Sequence, residues 1–432
     1  MKPLISIYIL NHNYGKYLDY AIESVLEQTY KNIEIIIIDD CSSDISNAVI
    51  NKRESDNRFK IIRNLSQQGL IISANLALKE SKGEYVIRLD ADDFFEKDAV
   101  DILFNDFINA HKLNPNIVGI FGNYNEIDKD ANFIRTVHKV KTNNSINEID
   151  IPIHGACTLI RKDWLVEHGG YDESFTRQDG YYLWALAAAT GKFFSLSEGI
   201  IFNYRQHSLS LSFDRSKILL ERSRISEKIV QKIKINKTVN IIVPIRADDI
   251  DEDQILMENF FLDVINPLLE LDSLNKIILV SSSINLKEHV KRHNNKKLKF
   301  FKRNYMLEHK LSNIRETLVD LVENSIISKS TSDIVLFRTF TNTDLPNYIT
   351  NQLFSYLKIF SRKDVAILVR RVKGHTYKDL ATSLQKFSLQ EKNHYERDVL
   401  YERVDGGFAI ESSKLYDFIN HNPLRIGIVE VE

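Results

Sequence analysis

The segment Tyr85-Val86-Ile87-Arg88-Leu89-Asp90-Ala91-Asp92-Asp93-Phe94-Phe95 decides how the fold is read. Val86, Ile87 and Leu89 form a short apolar run with β-branched residues, the pattern of a buried strand. The run ends in Asp90, Asp92 and Asp93. Carboxylates crowded at the C-terminal edge of a strand repel one another unless a positive charge sits among them. A hard divalent cation with oxygen ligands resolves that repulsion most simply. The plain alternative is a solvated acidic turn capping a helix that starts near Ala99.

Upstream the same arrangement repeats. Leu4–Leu10 reads as a buried strand that ends in Asn11-His12-Asn13-Tyr14-Gly15, and Leu18, Ile22, Val25 and Leu26 follow at helical spacing. Ile33–Ile38 is an aliphatic strand stopped by Asp39-Asp40-Cys41-Ser42-Ser43-Asp44. A strand at Phe59–Ile62 and a helix from about Leu70 to Lys79 precede Tyr85. Apolar strands alternating with amphipathic helices predict βαβ units and a mostly parallel sheet covered on both faces. Ligands of such sheets bind beyond the carboxyl ends of the strands, where Asn11–Tyr14, Asp39-Asp40 and Asp90–Asp93 all fall. A helix cap is the alternative use of Asp39-Asp40.

Three words in this order, SIYILNHNYGKYLDYAIESVLEQTYKNIEIIIIDDCSSD, RNLSQQGLIISANLAL and GEYVIRLDADDF, closely resemble the nucleotide-binding half of family 2 glycosyltransferases of the GT-A fold. The resemblance covers roughly residues 1–215. It implies that Asp39 holds the base or ribose of a nucleotide, with Asn11, Asn13 and Tyr14 enclosing the base. It makes Asp90 and Asp92 the DxD pair, Asp92 binding Mn²⁺ or Mg²⁺ more directly. Further on, Gln178-Asp179-Gly180-Tyr181-Tyr182-Leu183-Trp184 resembles the family's acidic motif at a helix start under the acceptor site, and Asp179 matches its catalytic base. A carboxylate in the first helical turn is favoured by the macrodipole and the free N–H groups there. Asp172 and Glu173 are alternative bases, and a helix cap is the structural alternative for Asp179. Tyr204-Arg205-Gln206-His207 resembles the family's YRxH segment. That makes His207 a metal-side residue and Arg205 a diphosphate contact.

Other stretches carry less chemistry. Ala99–Asn109 presents Val100, Leu103, Phe104 and Phe107 as a core face. Ile117–Gly122 is a further strand, and the polar stretch Asn123–Asn147 reads as a hairpin or loop. His154–Ile160 offers small residues where a substrate can approach closely, and a helix around Trp164–His168 stops at Gly169-Gly170.

The second half resumes the alternation without repeating any word of the first. Strands are expected at Val239–Val243, Lys276–Val280, Asp333–Phe337 and Val365–Leu368, with helices at Gln254–Glu270 and Asn351–Phe360 and a segment at Gly406–Ile410. The expected organisation is a GT-A domain over residues 1–215, a helical linker over 216–237 and a second α/β domain over 238–432. That second domain faintly resembles the cytidylyltransferases that activate acidic sugars. Its first loop, Arg246–Asp253, carries five carboxylates, which would repel a triphosphate rather than cradle it. Docking, dimerisation or acceptor binding is the expected use, and homo-oligomers would form through this domain.

Composition sets outer bounds. At 432 residues, 43% hydrophobic and 27% charged, the chain has room for two globular cores. A formal net charge of −2 gives no basic field for nucleic acid. Two cysteines make no disulfide framework, which fits a reducing cytoplasm. No signal-peptide profile or membrane span is read, so any membrane contact is expected to be peripheral, at the inner face. The function expected is inverting, metal-dependent transfer of a sugar from a nucleoside-diphosphate donor, UDP first, to a glycan or lipid-linked glycan hydroxyl in bacterial surface-glycan synthesis. The alternatives are a sugar-nucleotide-binding scaffold without turnover, and a bifunctional chain with nucleotidyl transfer in its second domain.

Overall fold

Isoleucine dominates the strands that open the chain. Ile5–Asn11 (β1) and Ile33–Asp39 (β2) are buried along most of their length, as parallel strands covered by helices on both faces require. The structure, a computed structural model, describes residues 2–138, 155–207, 215–234, 237–251, 254–303, 314–327, 334–338, 355, 358–359, 365–372, 400–411 and 426–431. The chain divides into two compact units. The boundary between them falls between Ile225 and Ser226.

After β1 the first unit continues with α1 (Gly15–Leu26), β2, α2 (Ser46–Asn51), β3 (Phe59–Arg63), α3 (Leu70–Glu80), β4 (Tyr85–Asp90), β5 (Phe94–Phe95) and α4 (Ala99–Leu113). Next come β6 (Ile117–Ile127), β7 (Phe133–Val137), β8 (Leu159–Arg161), α5 (Lys162–Glu167), α6 (Asp179–Ala189), β9 (Phe193–Arg205) and α7 (Arg215–Lys232). The sheet runs in the order β3-β2-β1-β4-β8-β6-β9-β5, with β7 added beside β6. The first four strands are parallel. The expected mostly parallel α/β sheet is present.

Register is what positions the site. Asn11 pairs with Asp39 and Leu10 with Asp90, so the ends of β1, β2 and β4 lie along one edge. Beneath that edge, Leu18, Ile22 and Val25 of α1 and Val100, Leu103 and Phe107 of α4 join Ile5, Ile7, Ile9, Ile35, Ile37 and Leu89 in one apolar core. Each such side chain contributes about 1.5–3 kcal/mol when fully buried. That layer can therefore support several carboxylates crowded at its rim.

The polar stretch after Ile117 is more regular than its composition suggests. β6 runs on to Ile127 and pairs antiparallel with β7. There Thr136 Oγ1 donates to Asn125 Oδ1 at 2.8 Å, so polar side chains satisfy one another across the pair. Residues 139–147, also assigned to that stretch, and His154 lie outside the described residues. Gly169 and Gly170 end α5 with φ of 85° and 74°, a conformation that costs glycine little. The expected linker is largely the helix α7, and the unit boundary falls inside it.

The second unit has its own seven-stranded sheet. Its strands are β10 (Val239–Pro244), β11 (Leu274–Ser281), β12 (Leu298–Lys302), β13 (Ile334–Arg338), β14 (Val365–Val372), β15 (Leu400–Glu411) and β16 (Ile426–Val431). They run in the order β12-β11-β10-β13-β15-β14-β16. The stretch read as one helix, Gln254–Glu270, is an α-helix at each end with a π-helical turn at Phe261–Ile265 between. Most of the helix expected at Asn351–Phe360 lies outside the described residues.

Candidate active site

Asp39 closes β2, only 2% exposed. Its Oδ1 accepts from Asn11 Nδ2 at 2.7 Å and its Oδ2 from Ser42 N at 3.1 Å. Asn11 also donates to Ser42 Oγ, and Asn13 joins the same loop by donating from N to that hydroxyl and accepting from Ser43 N. Asn13 and Cys41 both have φ near 60°, so the two loops turn sharply toward each other. Neither Asp39 nor Asp40 caps the next helix. Asp44 instead accepts from the first backbone N–H of two helices, Ser46 N of α2 at 3.0 Å and Gly15 N of α1 at 2.8 Å. Asp40 fastens the 64–69 loop, accepting from Asn64 Nδ2, Gln68 N and Gly69 N.

The second cluster forms where β4 meets the end of β9. Asp92 Oδ2 and His207 Nε2 lie 2.8 Å apart. The His207 ring stacks near Tyr17 and lies 5.5 Å from the Tyr14 ring. Burial together with Asp92, Asp90 and Asp93 pushes the Tyr14 phenol well above its usual range. Asp90 is pushed up to about 6, chiefly by burial, against the opposing pull of Arg88. Burial also raises Asp93, whose Oδ1 accepts from Arg205 N at 2.9 Å.

Among the described residues, no three His, Cys, Asp or Glu side chains already surround a common metal position. The donor set nevertheless fits a hard cation. Asp92 and His207 are adjacent, and Asp93 Oδ2 is buried without a hydrogen-bond partner. Mg²⁺-type sites typically take one or two carboxylates and complete the shell with substrate phosphate oxygens.

Arg205 faces inward. It is 2% exposed, its Nε donates to Asp92 O at 2.8 Å, and its Nη1 donates to Asp128 O and Lys129 O. Its guanidinium also lies 4.5 Å from the centre of the Tyr17 ring. These contacts make it a clamp on the backbone of the acidic turn.

Asp179 is the first residue of α6 and 7% exposed. Its Oδ2 accepts from Arg88 Nη1 at 2.7 Å. Arg88 Nε lies 2.9 Å from Asp90 Oδ1, a charge contact without the alignment of a hydrogen bond. Sequence reading missed Arg88. The available signal was a cation inside an otherwise apolar strand, since a buried arginine requires a charged partner. Gly155 is equally specific, because a Cβ there would come within 2.0 Å of Asp179 Oδ2. Tyr8 and Tyr171 share a 2.8 Å hydroxyl contact, and burial raises both phenols. Of the alternative bases, Asp172 accepts from Ser174 N and Oγ, and Glu173 accepts from Asn75 Nδ2. Both serve the loop before α6.

The family model described as Glycosyl transferase family 2 matches residues 6–169, which include the β1, β2 and β4 ends. Residues 6–169 are a family 2 glycosyltransferase domain. The match stops short of Asp179, Arg205 and His207. An uncharacterized glycosyltransferase of Haemophilus influenzae is 30% identical over 224 residues, 48% of this chain and 66% of that protein. Glycosyltransferase GlyG of Streptococcus pneumoniae is 27% identical over 231 residues, 53% of this chain and 68% of that protein. A chondroitin synthase of Pasteurella multocida is 35% identical over 111 residues, 26% of this chain and 12% of that much longer protein. This chain thus spans about two thirds of the first two relatives, which match about half of it. Among the described residues no helix is long and apolar enough to cross a membrane. Cys41 and Cys157 are both free thiols.

Proposed function

We propose that the glycosyltransferase domain moves a sugar from a nucleoside-diphosphate donor to a hydroxyl of a surface-glycan acceptor, with inversion at the anomeric carbon. The observation that carries this reading is the pairing of two carboxylate groups along one sheet. Asp39 and Asp92 with His207 stand at the strand ends, and Arg88 links that edge to Asp179.

Asp39, with Asn11, Asn13 and Tyr14, encloses the nucleoside. Asp92 and His207 would hold a divalent cation, Mn²⁺ or Mg²⁺, which when bound supplies positive charge to the diphosphate leaving group. Arg205 keeps the turn that carries Asp92 in place. Asp179 is the base: with Oδ2 held by Arg88, Oδ1 accepts the proton of the acceptor hydroxyl. The acceptor oxygen bonds to the anomeric carbon as the carbon–oxygen bond to diphosphate breaks, and that electron pair leaves on the diphosphate. Attack on the face opposite the leaving group inverts the configuration.

The named relative that makes chondroitin supports a glycan acceptor over a small molecule. A panel of sugar nucleotides, UDP-sugars first, tests the reading by thermal stabilisation and hydrolysis with and without Mn²⁺. Stabilisation by one nucleotide class that EDTA abolishes is expected. No stabilisation by any member would overturn it.

A further inference from the structure

We propose that the second unit is a duplicate of the glycosyltransferase sheet that has lost its donor site, so that the chain binds one nucleotide and one metal ion, both in the first unit. This rests on the donor reading of the first unit and extends it to the other half of the chain.

The topology carries the duplication. With the short additions β5 and β7 set aside, the first sheet runs β3-β2-β1-β4-β8-β6-β9 and the second β12-β11-β10-β13-β15-β14-β16. Counted in chain order, both read third, second, first, fourth, sixth, fifth, seventh. The senses agree as well. In each sheet the first four strands are parallel, the next is antiparallel to the fourth, the next antiparallel to that, and the last parallel to its neighbour. Seven strands agreeing in order and in sense leave little room for coincidence, although no sequence word is shared.

Register then allows the site positions to be compared. In the first unit Asp39 closes the second strand, and its carbonyl accepts from Asn64 N, just past the third. In the second unit Ser281 closes the second strand, and its carbonyl accepts from Arg303 N, just past the third. Ser281 therefore stands where Asp39 stands. Its hydroxyl accepts from Ser283 N within the turn, and Ser283 in turn caps the helix Ile284–His293 through Leu286 N.

The fourth strand tells the same story. β4 runs into Asp90-Ala91-Asp92-Asp93, whereas β13 ends at Arg338 and the sequence continues Thr339-Phe340-Thr341-Asn342-Thr343, with its first carboxylate at Asp344. The sequence after β13 thus lacks the carboxylates that follow β4, the ligand type on which Mg²⁺-like sites chiefly rely.

The base is missing for a different reason. Residues 162–192, between β8 and β9, hold both α5 and α6, with Asp179 at the start of α6. The corresponding connection between β15 and β16 is residues 412–425, 14 residues against 31. Those 14 residues are fewer than α5 and α6 themselves occupy, 6 and 11, before the loop between them is counted. Nucleoside carboxylate, metal carboxylates and base are thus all replaced on a sheet of unchanged topology, which keeps the fold while removing the chemistry.

Counting Mn²⁺ by electron paramagnetic resonance on the full chain tests this. Saturating UDP is used first, with GDP, CDP and dTDP as parallel arms. One Mn²⁺–nucleotide complex per chain is expected, lost in Asp92→Asn and unchanged in Ser281→Ala, with both variants melting cooperatively. Two complexes per chain, or one that survives Asp92→Asn, would overturn the proposal. If no nucleotide recruits Mn²⁺, the donor reading of the first unit fails, whereas the second unit's lack of a site stands.

Discussion

Arg88 Nη1 lies 2.7 Å from Asp179 Oδ2 while its Nε lies 2.9 Å from Asp90 Oδ1, so one guanidinium ties the donor edge of the sheet to the helix carrying the proposed base. Arg88 and Asp179 are 4% and 7% exposed on their side chains. Removing one member of a buried pair leaves its partner uncompensated, at a cost of about 3–5 kcal/mol. Arg88→Met should therefore lower the melting temperature markedly. Arg88→Lys keeps the charge but not the planar fork, so it should fold, bind donor normally and lose mainly kcat. Wild-type stability in Arg88→Met would show that the bridge contributes little.

Gly155→Ala probes the same carboxylate from outside the ion pair. The added Cβ would sit 2.0 Å from Asp179 Oδ2, so the side chain must turn away from Arg88. Transfer should fall by at least tenfold while nucleotide affinity, measured by calorimetry, stays within about twofold. Equal losses of both would mean that the substitution disturbs the whole sheet edge.

Much of this site could be read from the sequence. The aliphatic strands and the polar words at their ends placed Asn11, Asp39, Asp90 and Asp92 on one edge, because a parallel sheet aligns its carboxyl ends. Arg88 could not be paired from sequence, since Asp179 follows it by 91 positions and meets it only after folding. Arg205 resembles a diphosphate contact in its motif, and the pairing of β9 with β6 turns its donors toward the carbonyls of Asp128 and Lys129. The second sheet was read as different because its residues differ, and strand order appears only once the strands are paired.

The acidic turn should also show in the pH dependence of the metal-free protein. Burial raises Asp90 from 3.8 to about 6. Between those values the folded chain binds more protons than the unfolded one, so stability falls as pH rises through the window. Asp90 keeps 27% of its side-chain surface exposed, and water will make the slope shallow. Melting in EDTA should drop between pH 4 and about 6, and Asp90→Asn should flatten that slope. A slope unchanged in the variant would assign the effect to other groups.

Donor recognition has a separate handle in Asp39. Asp39→Ala removes the acceptor of Asn11 Nδ2 and Ser42 N, two bonds each worth about 0.5–1.5 kcal/mol. Nucleotide affinity should fall by more than tenfold, with the affinity for Mn²⁺ alone unchanged. Loss of Mn²⁺ binding as well would place Asp39 in the metal site.

The most direct test of the account is turnover by Asp179→Asn with the donor and acceptor that support wild-type transfer. Asparagine keeps the size and polarity of the side chain but cannot take the acceptor's proton. Because the substitution also weakens the pair with Arg88, rates are compared per nucleotide-binding site titrated. The account predicts unchanged donor affinity and a rate lower by about 10²–10⁴. Turnover near wild type from fully titrated Asp179→Asn enzyme would contradict it.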